Sequence, residues 1–213
     1  MRSRMIRILI AGFGRFPGAP LNPSAALARR LAARRRPGLA DISRITHVFR
    51  TSYADVAESL PRLLTERRPD AVLLLGLAGR TRYVRIETRA QNRVSLVFPD
   101  VDHRIPDRAP IRPGQGARTG RAPFRRLLSA AKATRVPARL SRDAGRYLCN
   151  YAYFRALEET AGHARAPLVA FVHIPLPRAP QRKGGRRLLT FDDLARAGEA
   201  ILIALAAAAR TRR

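Results

Sequence analysis

The chain contains one cysteine, Cys149, which lies where a glycine-marked turn gives way to a helical pattern. A thiol at the start of a helix is close to the helix dipole and to free N–H groups, and both stabilise a thiolate. His173 ends the apolar run 168–172 and lies 24 residues after Cys149. Because an imidazole beside a thiol activates it as a nucleophile, this pair predicts a cysteine hydrolase.

Cys149 also has a simpler interpretation, because a lone cysteine is more often a small buried apolar side chain than a nucleophile. Its position at a helix start favours the nucleophile. The position of His173 at a strand end does so too, because parallel sheets bind ligands at that edge. An acid is still needed to orient the imidazole, and the candidates are Glu87, Asp70, Asp100, Asp102 and Asp107. Three other histidines could act as the base but are expected at the surface: His47, His103 and His163.

The first loop of the chain resembles a phosphate-binding loop only in part. Gly12, Gly14 and Gly18 follow an apolar run, but Pro17 stands where a Gly-x-Gly-x-x-Gly fingerprint needs its third glycine. A phosphate cradle is therefore disfavoured. Phe13 and Phe16 in this loop could form the wall of an apolar ligand pocket or could anchor the core, which is the commoner role of phenylalanine.

The elements that must position these residues alternate between strands and helices. Apolar runs predict strands over 7–11, 44–50, 71–75 and 168–172, with another strand within 80–92. Helical periodicity and start signals, with Asn22 and Thr190 as caps, predict helices over 23–33, 53–67, 124–134, 149–161 and 190–209. Residues 98–121 are rich in Pro, Gly, Asp and Arg and predict a loop. The fold class is therefore α/β: a three-layer α/β/α sandwich with an open, mostly parallel twisted sheet, in a single domain over residues 1–213.

The charge of the chain is strongly positive. It has 42 Lys and Arg against 15 Asp and Glu, for a formal net charge of +27, and such a balance is typical of nucleic-acid binders. Nearly all of the positive residues are arginines scattered along the chain, which is more typical of codon bias, and no nucleic-acid-binding motif accompanies them. We expect weak, salt-sensitive binding of polyanions and no specific nucleic-acid partner.

Cysteine usage and hydropathy bear on the compartment. A single cysteine cannot form an internal disulfide, which is typical of a reducing cytoplasm. The apolar runs 8–11 and 201–209 are too short for a signal sequence or a membrane span. A cytoplasmic protein that does not enter the membrane is expected.

Five separately placed motifs follow one another along the chain. The first is the stretch 12–24, which ends in Asn22-Pro-Ser. The second comprises Gly76-Leu-Ala-Gly79 followed by Ile86-Glu87 and Asn92, and the third is Arg104-Ile-Pro-Asp. Tyr147-Leu-Cys149-Asn and Phe171-Val-His173-Ile-Pro come last. In this order, and with the cysteine-to-histidine and glycine-to-glutamate spacings kept, they resemble the pyrrolidone-carboxyl peptidases, also called pyroglutamyl peptidases of type I. The resemblance spans nearly the whole chain.

This resemblance implies a cysteine exopeptidase that removes an N-terminal pyroglutamyl residue from peptides. Cys149, His173 and Glu87 would form its triad, and Arg104 would stand near the oxyanion with N–H groups of the Cys149 helix. An apolar pocket would hold the five-membered lactam, with substrate contacts from Phe13, Phe16, Asn22 and Leu148. The resemblance implies no metal or organic cofactor, a peptide with a blocked N-terminus as the substrate, and a homo-oligomer.

The sequence departs from the family pattern in the predicted pocket. Gly14 and Arg15 replace an acidic residue and a proline, Pro17 replaces a glycine, and Leu77 replaces a glutamine. The segment between Asn92 and Arg104 is longer than expected. These departures leave two alternatives: the same triad acting on another small N-terminal group or amide, or a non-enzymatic basic binding protein. Retention of all three triad residues argues against the second.

Overall fold

The computed structural model describes residues 5–16, 20–162, 166–179, 182–183 and 186–212. Pro17, Gly18 and His163 lie outside these ranges. The strands are β1 (Ile6–Phe13), β2 (Ile42–Phe49), β3 (Ala71–Leu77), β4 (Val84–Glu87), β5 (Arg89–Ala90), β6 (Arg118–Thr119), β7 (Ala138–Ser141), β8 (Leu168–Ile174), β9 (Arg182–Lys183) and β10 (Arg186–Arg187). The helices are α1 (Pro23–Ala33), α2 (Tyr53–Arg67), α3 (Phe124–Ala133), α4 (Leu148–Glu159) and α5 (Phe191–Arg210).

A six-stranded sheet in the order β2-β1-β3-β8-β4-β7 forms the centre of the described structure. The strands β2, β1, β3 and β8 are parallel, whereas β4 is antiparallel to β8 and parallel to β7. The expected α/β fold with a mostly parallel sheet is confirmed. The reversal at β4 is a further feature, and it decides how the acid side chain reaches the site.

Apolar side chains cover both faces of the sheet. On one face Ile8, Ile10 and Leu73 pack with α1, α3 and α5, and on the other Leu9 and Leu74 pack with α2 and α4. Consecutive residues of a strand point to opposite faces, so a strand covered on both sides reads as a continuous apolar run. This explains why 71–75 could be assigned to a central strand from the sequence.

Local signals set the helix ends. Asn22 caps α1 by accepting a hydrogen bond from the backbone N–H of Ser24 at 3.1 Å, and Pro23 occupies the first turn. Thr190 and Asp193 form a capping box at the start of α5. The bounds predicted for α1 and α2 match those observed.

Other elements differ from their predicted bounds. The strand β7 was not predicted, since it has four residues and two of them, Arg139 and Leu140, are exposed. The helix α4 begins at Leu148, one residue before the predicted start, and ends at Glu159. The expected loop 98–121 contains the two-residue strand β6. Within the described ranges, no helix is both long enough and apolar enough to cross a membrane.

Candidate active site

The buried side chain of Glu87 contacts the imidazole of His173. Because β4 runs antiparallel to β8, Arg85 is paired with His173 and Glu87 with Phe171, and all four side chains point to one face of the sheet. Glu87 is fully buried, and its Oε1 atom accepts a hydrogen bond at 2.8 Å from His173 Nδ1. The carboxylate thereby fixes the ring orientation and leaves Nε2 for a second partner.

That second partner is the thiol of Cys149. It lies in the first turn of α4, and its Sγ atom packs against Gly76, where an added Cβ would be 2.8 Å from the sulfur. Gly76 is the register partner of His173 on the neighbouring strand, so the sulfur lies beside the imidazole, and both groups line one pocket. The structure thus brings Cys149, His173 and Glu87 into one connected row.

The surroundings of His173 favour its charged form. Burial is the largest single influence and opposes the charge, but hydrogen bonds to Cys149 and Glu87, with the negative charge of both partners, outweigh it and raise the pKa of His173 to about 9. The imidazole therefore carries its proton at neutral pH. A protonated imidazole beside a partly exposed thiol is the arrangement of an activated cysteine.

The start of α4 provides hydrogen-bond donors beside the sulfur. Tyr147 is the N-cap residue and makes no side-chain capping bond, and the first N–H groups of a helix have no acceptor within it. A carbonyl oxygen attacked by Cys149 would develop its negative charge next to these donors and the positive end of the helix dipole. The site can therefore stabilise an oxyanion with backbone groups.

A pocket of about 300 Å³ opens over Cys149 and His173. This volume lies at the small end of ligand pockets. The loop before α4, the ends of β1 and β3, and the segment after β3 form its wall, with these lining residues: Phe13, Phe16, Asn22, Thr51, Leu77, Ala78, Gly79, Arg80, Thr81, Arg85, Ala144, Gly145, Arg146, Tyr147 and Leu148. A small, mostly apolar group fits such a space.

The four residues expected to contact substrate all line this pocket. Phe13 is buried and packs on Phe49 with ring centroids 5.7 Å apart, so it belongs to the core as well as the wall. Phe16 is partly exposed, and its ring centroid lies 5.9 Å from that of Tyr147. Asn22 and Leu148 line the same space, and the Asn22 amide also donates to the Gly14 carbonyl at 3.0 Å.

Arg104 is not brought to this pocket. Among the described residues its side chain is exposed and absent from the pocket wall, and its backbone N–H donates to Asp100 at 2.9 Å. The long segment after Asn92 folds as a separate loop held by Asp100, so the Arg104-Ile-Pro-Asp motif lies away from the sulfur. Backbone donors of α4, rather than Arg104, are the groups next to Cys149.

The other candidate acids and bases have structural roles or are exposed. Asp100 accepts backbone hydrogen bonds from its own loop and from Tyr53, and Asp70 accepts one from Arg7. Asp102 pairs with Arg50 and Asp107 is exposed. His47 lies on β2 against Phe49, where burial lowers its pKa, and His103 is exposed. Among the described carboxylates that were candidates, Glu87 is the one that reaches His173.

Sequence reasoning did not identify Arg85 as a site residue. Its Nε atom lies 3.0 Å from Glu87 Oε1, and its guanidinium also donates to Ser141 Oγ at 2.8 Å and to the Asp143 carbonyl. Arg85 therefore holds the carboxylate that orients His173. A signal was present, because the period of two in a strand places residues 85 and 87 on one face.

Two residues of α4 also escaped notice. Tyr153 donates its hydroxyl hydrogen to the backbone carbonyl of Glu87 at 2.9 Å. Asn150 is fully buried and makes three hydrogen bonds with the backbone of Gln91 and Arg93. Tyr153 lies four residues after Cys149, a spacing that places both on one side of a helix, whereas nothing in the sequence identifies the partners of Asn150.

The departures from the family pattern fall partly on the pocket wall. Leu77 ends β3 and lines the pocket, which makes that wall apolar. Gly14 lies just outside it, and its carbonyl accepts hydrogen bonds from Asn22 and Thr51. Arg15 is exposed and does not line the pocket. Across the residues that the structure describes, no three His, Cys, Asp or Glu side chains form a group that could hold a metal ion.

Comparison with known proteins relates the whole chain to one family. A sequence model described as pyroglutamyl peptidase matches residues 6–210. The pyrrolidone-carboxylate peptidase of Gloeobacter violaceus is 34% identical over 200 residues, covering 92% of this chain and 95% of that protein. The crystal structure of the enzyme of that name from Fervidobacterium islandicum has a TM-score of 0.81 at 28% identity, over 92% of this chain and 96% of that one. The enzyme from Thermococcus litoralis shares the fold, with a TM-score of 0.85 at 24% identity, over 98% and 97% of the two chains.

Proposed function

The chain belongs to the pyroglutamyl peptidase family, and from this premise we propose that it removes an N-terminal pyroglutamyl residue from peptides with a Cys149–His173–Glu87 triad. The observation that carries the proposal is the buried 2.8 Å contact between Glu87 and His173 beside the thiol of Cys149. A nucleophile, a base and an orienting acid in one small pocket are what covalent acyl transfer needs.

The reaction starts with the proton of the thiol on His173. The raised pKa of this imidazole enables it to hold that proton at neutral pH. The sulfur attacks the carbonyl carbon of the pyroglutamyl residue, a carbon–sulfur bond forms, and the carbonyl electrons move onto the oxygen. The N–H groups at the start of α4 stabilise that oxygen.

The intermediate then collapses to a thioester. The carbonyl is restored, the carbon–nitrogen bond breaks, and His173 gives its proton to the leaving amine of the shortened peptide. A water molecule, deprotonated by His173, attacks the thioester, releases pyroglutamate and returns the thiolate. Through both stages Glu87 keeps the imidazole oriented, and Arg85 keeps Glu87 in place.

The pocket supports a small, uncharged first residue. Phe13, Phe16 and Leu148 give it apolar walls, and its volume of about 300 Å³ is small for a ligand site. A lactam carries no ammonium group, so its binding in this apolar pocket buries no unpaired positive charge. An ordinary peptide N-terminus is charged and would lose its hydration there, which favours a blocked N-terminus.

The proposed mechanism also bears on the cellular compartment of the protein. Because the mechanism needs a reduced thiol and Cys149 is a free cysteine, we propose that the enzyme works in the cytoplasm. The homo-oligomer implied by the resemblance stays a prediction, as does the single domain over residues 1–213.

One observation favours a second candidate, the same triad acting on a different small N-terminal group or amide. Leu77 in the pocket wall offers no hydrogen bond to the ring amide of a pyroglutamyl residue, and the family pattern has a glutamine there. An apolar wall discriminates weakly between rings with and without polar atoms. An uncharged ring that lacks the lactam amide, such as a cyclopentanecarbonyl group, is the natural competing substrate.

The test is release of the fluorophore from pyroglutamyl-aminomethylcoumarin, compared with cyclopentanecarbonyl- and alanyl-aminomethylcoumarin. We expect the pyroglutamyl compound to be cleaved fastest and a thiol alkylator to abolish the signal. The variant His173→Ala should lose about 10²–10⁴-fold in rate, and the control His103→Asn, at an exposed site, should keep its rate. Faster cleavage of the cyclopentanecarbonyl compound would support the second candidate, and cleavage that survives alkylation would refute the triad.

A further inference from the structure

The charges around the pocket have one sign. Its described lining includes Arg80, Arg85 and Arg146 and no aspartate or glutamate. The charge of Arg85 is paired with Glu87. Arg80 and Arg146 are exposed, and no carboxylate in the described part of the chain pairs with either side chain. Two guanidinium groups at the pocket are therefore available to a ligand.

These two arginines lie on loops that meet at the pocket. Arg80 follows β3, the strand that carries Gly76 beneath the sulfur, and Arg146 precedes Cys149 by three residues. The remaining lining is mostly apolar and suits the blocked first residue. The ring closes the amino end of that residue, so the rest of the peptide extends only from its carbonyl, beyond the scissile bond. There the peptide passes exposed groups of the pocket wall.

We propose that Arg80 and Arg146 form a carboxylate subsite on the leaving-group side of the scissile bond, so that the enzyme prefers pyroglutamyl substrates with a carboxylate in the next one or two residues. This inference rests on the proposed function. The carboxylate comes either from an Asp or Glu side chain or from the free terminus of a pyroglutamyl dipeptide. The guanidinium fork matches a carboxylate by two parallel hydrogen bonds, and a pair of forks can hold it from two sides.

The expected preference is moderate, because both arginines are exposed and water screens their charges. An exposed ion pair contributes little on its own, and two of them acting on one carboxylate correspond to about a tenfold preference over a neutral analogue. The preference should weaken as salt is added, because salt screens exposed charges.

The first experiment compares substrates that differ in charge alone. The values of kcat/KM are measured for pyroglutamyl-glutamate amide, pyroglutamyl-glutamine amide and pyroglutamyl-glutamine with a free carboxyl terminus. We expect about a tenfold preference for at least one acidic compound over the neutral amide, and the two acidic compounds show which source of carboxylate is used. The double variant R80Q/R146Q should bring the ratio close to one.

The matched control is R125Q/R126Q on α3, which removes the same two charges from exposed sites that do not line the pocket. It distinguishes a local subsite from the general field of a chain with net charge +27. A ratio that falls equally in R125Q/R126Q and in R80Q/R146Q would overturn the subsite. A wild-type ratio near one for both acidic compounds would do the same.

The second experiment does not depend on the identity of the substrate. Cys149 is the single cysteine of the chain, so its alkylation by anionic iodoacetate and by neutral iodoacetamide can be followed without interference. The thiolate displaces iodide from either reagent, and a carboxylate subsite should raise the rate with iodoacetate relative to iodoacetamide. We expect that ratio to fall several-fold in R80Q/R146Q and to stay constant in R125Q/R126Q.

The two experiments separate the failure of this inference from failure of the proposed function. If no pyroglutamyl compound is cleaved, the proposed function is wrong, while the alkylation ratio still tests the arginine pair. If cleavage occurs but the alkylation and substrate ratios do not respond to R80Q/R146Q, the carboxylate subsite is wrong and the peptidase assignment stands.

Discussion

At the scale of single residues, Cys149 supplies the nucleophile of the proposed reaction. We expect Cys149→Ser to lower kcat/KM by several orders of magnitude and to leave the thermal midpoint nearly unchanged, because one partly exposed atom is exchanged for a poorer nucleophile. Fluorophore release and circular dichroism measure the two quantities. Turnover by the serine variant at the wild-type rate would remove Cys149 from the mechanism.

The pair of His173 and Glu87 predicts an alkaline limit to activity. The pKa of His173 is raised to about 9, so the imidazolium persists at neutral pH and loses its proton as the pH rises through that value. Above it, no proton is ready for the leaving amine, and kcat/KM should fall. Measurement of kcat/KM between pH 6 and 10 tests this expected fall, which is the alkaline limb of the pH profile. A profile that keeps rising to pH 10 would contradict it.

The variant Glu87→Gln shows whether the carboxylate sets this limit. Removal of its negative charge removes a group that favours the imidazolium, so the pKa of His173 should fall and the alkaline limb should move to lower pH. The control Glu66→Gln lies at an exposed position of α2 and should keep the wild-type profile. A purely structural role for Glu87 would lower activity without moving the limb.

Phe16 is expected to act on substrate binding more than on folding. It lines the pocket and is partly exposed, so Phe16→Ala should raise KM for a pyroglutamyl substrate several-fold with a small change in thermal midpoint. The control Phe98→Ala removes an exposed ring that does not line the pocket. A variant with normal KM that melts much earlier would assign Phe16 to the core.

The sequence identified some of these residues and could not identify others. Cys149 and His173 followed from residue type and from their places at element ends, and the choice of Glu87 among five carboxylates came from the family resemblance. The position of Arg104 outside the pocket wall could not be foreseen, because the length of the segment after Asn92 says nothing about where the loop folds back. Asp100 sets that path by accepting one hydrogen bond from Arg104 in its own loop and one from Tyr53, which is distant in sequence.

At the scale of elements, the contact between β3 and α4 is made by a glycine. A Cβ on Gly76 would lie 2.8 Å from both Cys149 Sγ and the Phe171 ring. The variant Gly76→Ala should displace the sulfur and lower kcat/KM by about 10²-fold, with about 1–3 kcal/mol lost from the free energy of unfolding. The control Gly116→Ala adds a Cβ that meets nothing within 4 Å, and equal losses in both variants would refute the steric argument.

Most helices and the inner strands could be predicted because their signals are local. Caps and periodicity gave α1 and α2, and continuous apolar runs gave β3 and β8. The direction of β4 has no local signal, because it depends on how the intervening chain crosses the molecule. That direction decides which residues of β4 lie opposite His173. The sequence therefore indicated that Arg85 and Glu87 share a face, but not that this face meets His173.

At the scale of the whole molecule, 42 basic residues against 15 acidic ones predict weak polyanion binding. Affinity for labelled DNA or RNA should fall steeply with salt, with a log–log slope set by the number of phosphates neutralised. It should show no sequence preference and should be the same in Cys149→Ser and in the wild type. Tight, sequence-selective binding at physiological salt would instead favour the basic binding protein.

The helix α4 joins the two halves of the site in one piece. It carries Cys149, while Asn150 holds the backbone of residues 91–93 and Tyr153 holds the backbone of Glu87. Because those partners are backbone groups, the contacts depend on the path of residues 87–93 and not on their side chains. Substitutions in this segment can therefore keep the contacts with α4, whereas an insertion or deletion within it would shift the nucleophile relative to the acid.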